Sequence, residues 1–173
     1  MTLIGSMHYD TGEVRDMAIE KVREYLKQWN KDQDIIEFAV SSATVELAAE
    51  AAGVIPARIA KTLSFRDNGG CVLVVTAGDA KIDNGKFKKF FHMKARMLSP
   101  EEVVAFTGHE VGGVCPFAIE NPEVKVYCDI SMKRFETVFP AAGSSNSAIE
   151  LTCDELFMYA NAMDWIDVCK CDN

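Results

Sequence analysis

Val14, Met17, Ala18, Val22, Tyr25, Leu26 and Trp29 recur at intervals of three and four, which puts them on one stripe of a helix over residues 13–31. The period then changes, and residues 35–40 read as a strand. Ser42 and Thr44 are two candidate caps for a helix running to Ala52, with Gly53 as its left-handed stop. Pro56 opens a short helical turn containing Arg58, Ile59 and Ala60. Residues 62–65 and 71–77 are strand-like apolar runs. The four residues between them, Asp67-Asn68-Gly69-Gly70, are strong turn formers and predict a hairpin.

Farther along, Phe87, Phe90, Phe91 and Lys94 fit a helix over residues 85–95. Ser99-Pro100-Glu101-Glu102 has the capping-box pattern with proline at the first helical position, and that helix ends near Gly108. Residues 124–129, 136–139 and 148–151 are short strands. Thr152-Cys153-Asp154-Glu155 is a second capping box, opening a terminal helix to about Val168. Helices and strands alternate without a regular βαβ rhythm and nothing repeats. The expected class is therefore α+β: one domain over residues 1–173, with helices on a mixed, mostly antiparallel sheet. Residues 1–40 form its N-terminal part, a helix and a first strand.

A chain of 173 residues can bury a full core without covalent staples. Its net charge of −8, from 18 Lys and Arg against 26 Asp and Glu, excludes a protein that grips nucleic acid over its whole surface, and DNA is not an expected partner. No apolar run approaches the roughly 18 residues of a membrane span. The opening MTLIGSMHYDTGEVRD lacks the basic start and apolar stretch of a secretory signal, so a cytoplasmic location is expected. Cys71, Cys115, Cys128, Cys153, Cys169 and Cys171 are scattered without a C-x-x-C pair and read as reduced thiols. Cys169-Lys170-Cys171 would need two further metal ligands, and His8, His92 and His109 are not spaced as ligands on one helix face. No metal and no cofactor are expected. The serine-nucleophile, phosphate-loop and dinucleotide-binding glycine patterns are all missing.

Four segments remain as candidates for chemistry. Gly112-Gly113-Val114-Cys115-Pro116 lets a backbone approach a ligand closely and offers N–H groups to an oxyanion, or else makes a tight turn stiffened by Pro116. Cys115 stands near His109 as a nucleophile with a base, or as a small buried hydrophobe. Lys61 lies where a helical turn passes into a strand, either reaching over a cleft or solvated at a helix end. Lys81, Lys86, Lys88, Lys89, Lys94 and Arg96 gather a third of all cations into 16 residues with only Asp83 opposing them. That run is a phosphate-binding patch or a solvated helix face. The small-residue loop Ala141-Ala142-Gly143-Ser144-Ser145-Asn146 lines a pocket or turns a corner.

The order of three of these segments resembles the YbaK/prolyl-tRNA synthetase-associated domain family of aminoacyl-tRNA deacylases. Thr44-Val45-Glu46-Leu47-Ala48-Ala49-Glu50-Ala51-Ala52-Gly53-Val54 and then Arg58-Ile59-Ala60-Lys61-Thr62-Leu63 are similar to the family's helix, glycine and lysine segment. Val111-Gly112-Gly113-Val114-Cys115-Pro116-Phe117 matches its GxxxP loop, and Ala142-Gly143-Ser144-Ser145-Asn146 its last small-residue loop. The resemblance implies a curved sheet flanked by helices and hydrolysis of the ester of a mischarged tRNA, often the one for proline. It also implies Lys61, Gly112 and Gly113 as catalytic groups, with Lys61 at the aminoacylated 3′ end and the glycine amides on the ester carbonyl. Thr44, Phe65, Val114, Cys115, Pro116, Ala142, Gly143 and Asn146 become substrate-binding candidates, and the run from Lys81 to Arg96 the contact for the acceptor stem. Aminoacyl-tRNA is then the expected partner, with association with a tRNA synthetase as a further expectation. Thr44, where the cysteine-selective branch tends to carry an aromatic, and Cys115, where some members have serine, leave the amino acid open. A non-catalytic module that binds aminoacyl-tRNA or an amino acid is the alternative, and a thiol enzyme using Cys115 is a third reading.

Overall fold

The computed structural model describes residues 11–171, and side chains from residue 17 onward; His8 and the side chain of Val14 fall outside that range. Helix α1 (Thr11–Leu26) buries Ala18, Val22 and Leu26 of the predicted stripe together with Ile19, which the spacing did not include, while Met17 of that stripe is exposed. It passes through a 3-10 turn and stops at Asn30, whose φ of 57° is left-handed. Strand β1 (Ile36–Glu37) is shorter than the expected 35–40, since its partner β7 (Ser147–Ala148) offers only two residues. Beyond it, the N–H groups of Phe38 and Ser42 donate singly to the carbonyls of Asn146 and Ser145.

Of the two candidate caps for α2 (Val45–Ala52), Thr44 serves: its hydroxyl accepts from the Leu47 N–H at 3.1 Å. Ser42 instead donates its hydroxyl to the Ser145 carbonyl. Gly53, at φ 69°, ends the helix. The turn after Pro56 stops at Arg58, so Ile59 and Ala60 already belong to β2 (Ile59–Asp67). Apolar side chains of these two can be buried only by joining the sheet, and they are 5% and 3% exposed. The hairpin forms as the turn residues require. β2 pairs with β3 (Gly70–Ala77) from Ala60↔Ala77 to Asp67↔Gly70, and both intervening residues, Asn68 and Gly69, have positive φ.

Next come β4 (Ala80–Ile82) and α3 (Asn84–Phe91), capped by Asp83 and stopped at His92 with φ 58°, four residues before its expected end. Helix α4 (Pro100–Thr107) carries the complete Ser99–Glu102 capping box and stops at Gly108. After β5 (Val124–Asp129) and β6 (Thr137–Pro140), the expected strand over 148–151 splits. Ala148 pairs with β1, whereas Leu151 belongs to β8 (Leu151–Thr152) on β6; the chain changes partner between them.

The largest departure is at the C-terminus. Helix α5 (Cys153–Tyr159) begins at its Thr152–Glu155 capping box but does not reach Val168. Within the expected helical stretch Trp165–Ile166 form β9 on β5, and just past it Cys169–Cys171 form β10 on β4. The buried Asp129 carboxylate fixes this course, accepting from the Val168 N–H at 2.9 Å. A helix here would withdraw the Val168 N–H from Asp129 Oδ2, leaving the carboxylate with the Ser131 N–H on Oδ1, a cost of about 1–3 kcal/mol.

The central sheet has the order β8-β6-β2-β3-β5-β9, with β1–β7 and β4–β10 as separate pairs. Among the described residues the sheets are mixed, with four antiparallel and three parallel junctions. Cys71 to Val75 and Ala77 of β3 are all buried, which explains their unbroken apolar run.

One irregularity positions the site. β2 is covered along one edge by β3, but on the other edge β6 meets only Ile59 and Ala60. Pairing on that edge resumes at Phe65, which bridges to Met97. The Leu98 N–H donates to the Ser64 carbonyl beside that bridge, so residues 61–63 face an opening in the sheet. Gly78, just past β3, supports this region by close backbone packing. A Cβ there would lie 2.1 Å from the Pro56 carbonyl oxygen and 2.7 Å from Val45. Gly78→Ala is expected to lower stability by about 3 kcal/mol, read as a lower urea midpoint at unchanged slope.

Candidate active site

The opening beside β2 is the mouth of a cleft of about 390 Å³. Thr44, Val45 and Ala48 of the α2 region form one wall, and residues 59–64 form the floor. Met97, Leu98 and Val103 close the opposite side, with Val111, Gly112 and Val114 on the loop that follows α4. Phe139, Ala141, Ser147 and Ala148 complete it.

Lys61 is half-buried in the floor, and its Nζ donates to the Gly78 carbonyl at 3.2 Å and to that of Ala80. An ammonium has three hydrogens, so one is left for a ligand. Burial pushes the Lys61 pKa below that of free lysine, with Asp79 and Glu46 among the groups opposing the shift. Asp79 is itself held ionised by a two-point pair with Arg134, at 2.6 and 3.0 Å.

The two glycines of the loop separate. Gly112, at φ 97°, lines the cleft and makes no backbone hydrogen bond through its N–H among the described residues. The N–H of Gly113 is engaged by the Glu110 carbonyl at 3.0 Å. A Cβ on Gly113 would stand 2.8 Å from the Ser144 backbone, so this glycine serves the close approach of two loops.

The remaining candidates divide in the same way. Thr44 and Val114 line the cleft, although the Thr44 hydroxyl is occupied by its cap. Phe65 lies in the core against Phe87, and Ala142 is fully buried. Gly143, at φ 99°, packs against α1, where a Cβ would come within 2.9 Å of the Ala18 carbonyl. Asn146 bonds Phe38 and Ser144. Pro116 faces a different groove, which it shares with Trp29. The wall residues Ile59, Leu63, Met97 and Phe139 carried no sequence signal of their own. Strand parity was the available clue for Ile59 and Leu63, which alternate with the intervening residues on the same face as Lys61.

Cys115 is fully buried, and its Sγ lies 3.5 Å from His109 Nε2. That same nitrogen is 2.8 Å from the Phe117 carbonyl oxygen, which only accepts, so Nε2 carries the hydrogen. A nitrogen holding its proton against a carbonyl is not a base for the thiol, and the pair sits behind the cleft wall. Burial opposes a charge on His109, whereas the neighbouring Cys115 and the Phe117 carbonyl favour one, and the balance pushes its pKa up to about 9.

Lys81, Lys86, Lys88, Lys89, Lys94 and Arg96 are all exposed. The run starts next to Ala80, which accepts from Lys61, and ends next to Met97 in the cleft wall. Lys86 is partly committed to Asp167 at 3.1 Å and to the Cys169 carbonyl, and Lys81 faces Lys170 across the β4–β10 pair. Among the described residues no three His, Cys, Asp or Glu side chains converge as a metal site, and no helix is long and apolar enough to cross a membrane.

With this geometry in hand, the comparisons are decisive on family. Residues 40–158 match the family described as the aminoacyl-tRNA editing domain, which is more than half the chain. The chain belongs to that family. This editing domain is 57% identical over 155 residues to the uncharacterized protein YwhH of Bacillus subtilis strain 168, covering 89% of this chain and 98% of that one. It is 27% identical over 127 residues to the proline–tRNA ligase of Thermotoga maritima, of which it spans only 22%. A crystal structure of a candidate trans-editing enzyme for prolyl tRNA synthetase superposes with a TM-score of 0.79 at 27% identity, over 88% of this chain and 97% of that one. The domain is thus an editing domain related to prolyl-tRNA synthetases, with the α+β fold of the trans-editing candidate.

Proposed function

We propose that this editing domain hydrolyses the ester of a mischarged aminoacyl-tRNA, acting in trans, with tRNA for proline as its first candidate. The observation that carries the reading is the convergence of the Lys61 side chain and Gly112 on one cleft. Water attacks the ester carbonyl, negative charge grows on its oxygen, and the tetrahedral species expels the ribose hydroxyl. The products are a free amino acid and an uncharged tRNA. The Gly112 N–H and the remaining Lys61 hydrogen are the donors for that oxygen. Donors of this kind contribute roughly 2.7–4 kcal/mol each in comparable sites. Gly113 acts as the loop's packing partner.

The walls formed by Val45, Ala48, Ile59, Leu63 and Phe139 favour a small uncharged side chain. One methylene in such a wall discriminates by about 1–3 kcal/mol, which is what makes a second hydrolytic sieve useful. Action in trans is supported by the likeness to the trans-editing candidate, and the cytoplasm, where charged tRNA is used, is the proposed place of action. Association with prolyl-tRNA synthetase belongs to the same proposal.

The test is incubation with tRNAs charged with alanine, cysteine, serine or threonine. Release of amino acid from at least one is expected. Saturable binding with no release from any would favour the binding module instead.

The basic run is proposed to hold the acceptor stem, since Arg96 adjoins the cleft-wall residue Met97 and Lys81 adjoins Ala80, which accepts from Lys61. Lys88→Glu with Lys89→Glu is expected to raise KM for aminoacyl-tRNA roughly tenfold at low salt. The same pair should leave hydrolysis of an aminoacyl-adenosine ester unchanged, since that minimal substrate has no stem. Equal losses on both substrates would remove these lysines from the RNA contact.

A further inference from the structure

We propose that His109 is a positioning residue for the loop that carries Gly112, acting through its Nε2–H bond to the Phe117 carbonyl. The inference rests on the deacylase reading for its consequence, but not for its geometry. Residues 109–118 contain no helix or strand, yet three of them, Val111, Gly112 and Val114, form part of the cleft. Something other than regular structure must hold them.

The loop is tied at both ends through this one residue. At its start, the His109 N–H donates to the Thr107 hydroxyl at 3.1 Å, and that hydroxyl donates to the Val103 carbonyl at 2.7 Å. The histidine backbone is thereby fixed to the last turn of α4. At the loop's far end, the ring reaches Phe117, a fully buried residue, at 2.8 Å. Between the two ties, Gly113 is held by the Glu110 carbonyl and packs on Ser144. Gly112 sits one bond from that anchor with its own N–H uncommitted to any backbone carbonyl among the described residues.

The other ring nitrogen shows that packing alone does not account for the histidine. His109 is 2% exposed, and its Nδ1 is buried without a hydrogen-bond partner. An apolar side chain of similar volume would fill the space without an orphaned nitrogen, but it would leave the Phe117 carbonyl unpaired. The Nε2 bond is therefore what this side chain supplies. It persists in the imidazole and the imidazolium alike, because Nε2 carries its hydrogen in both.

Two amides separate the bond from bulk. In His109→Gln the side-chain nitrogen ends near the place of Nε2, whereas in His109→Asn it falls short. Amide hydrogen exchange at residues 112–114 and steady-state deacylation are the readouts. His109→Asn is expected to speed that exchange and to lower kcat, each about tenfold, with KM within about twofold. His109→Gln should restore both to within about threefold of the parent. Cys115→Ala removes a buried neighbour of the ring but keeps the bond, and should change neither readout. Unchanged exchange in His109→Asn overturns the proposal, and so does an equal effect from Cys115→Ala. If the parent protein releases no amino acid from any charged tRNA, the functional reading fails, while the exchange data still decide the clamp.

Discussion

Lys61→Met is expected to lower kcat/KM for the proposed deacylation roughly 100-fold, about 2.7 kcal/mol of barrier. Methionine keeps an unbranched apolar stem of similar length in the cleft floor, so the loss reports the charge and its free hydrogen rather than packing. The pH dependence carries a second signature. The ammonium is the active form, and burial lowers its pKa, so activity tied to Lys61 falls as pH rises through a value below that of free lysine. Below that value the group is fully charged and the contribution is complete. Lys61→Met should lack this fall, because it has no proton to lose. Both are read by measuring kcat/KM across pH against the uncatalysed ester. A Met variant as fast as the parent removes Lys61 from the reaction.

Gly112→Ala is the second large effect, with kcat/KM down roughly 30-fold, or about 2 kcal/mol. The residue has φ 97°, where a Cβ is strained, and the added carbon would meet Ala43 at 3.2 Å across the cleft mouth. Relief of both requires the loop to move, and with it the one glycine amide that faces the cleft. Strain of this kind costs about 1–3 kcal/mol. Gly113→Ala supplies the contrast. Its Cβ would lie 2.8–2.9 Å from the Ser144 backbone, which cannot rotate away. That variant should lose more thermal stability than Gly112→Ala, and a calorimetric melt beside the kinetics separates the two. If Gly112→Ala melts earlier than Gly113→Ala and keeps full activity, the division of labour between the glycines is wrong.

The legible parts of the fold share a local cause. Asn68 and Gly69 turn the hairpin because their own backbones accept positive φ, and Ser99–Glu102 and Thr152–Glu155 close their capping boxes within four residues. Gly53 and Gly108 end helices for the same self-contained reason. The candidate site was legible as far as Lys61 and the Gly112 loop, since their types and order are written in the chain. Their partners were not. The packing of Gly113 on Ser144, and the removal of Cys115 to a place behind the wall, depend on how this loop meets a distant one.

What the sequence determined by itself was each start, stop and turn whose hydrogen bonds close within a few residues, together with the chemical groups available to a site. Tertiary structure alone decided where the last twelve or so described residues went. Asp129 Oδ2 takes the Val168 N–H, and β5 and β4 had open edges, so residues after α5 paired as strands instead of extending a helix. It alone also left β2 uncovered at residues 61–63, because β6 and the Met97 bridge stop short of one another. That gap is set by pairings across scores of residues, and no local preference encodes it.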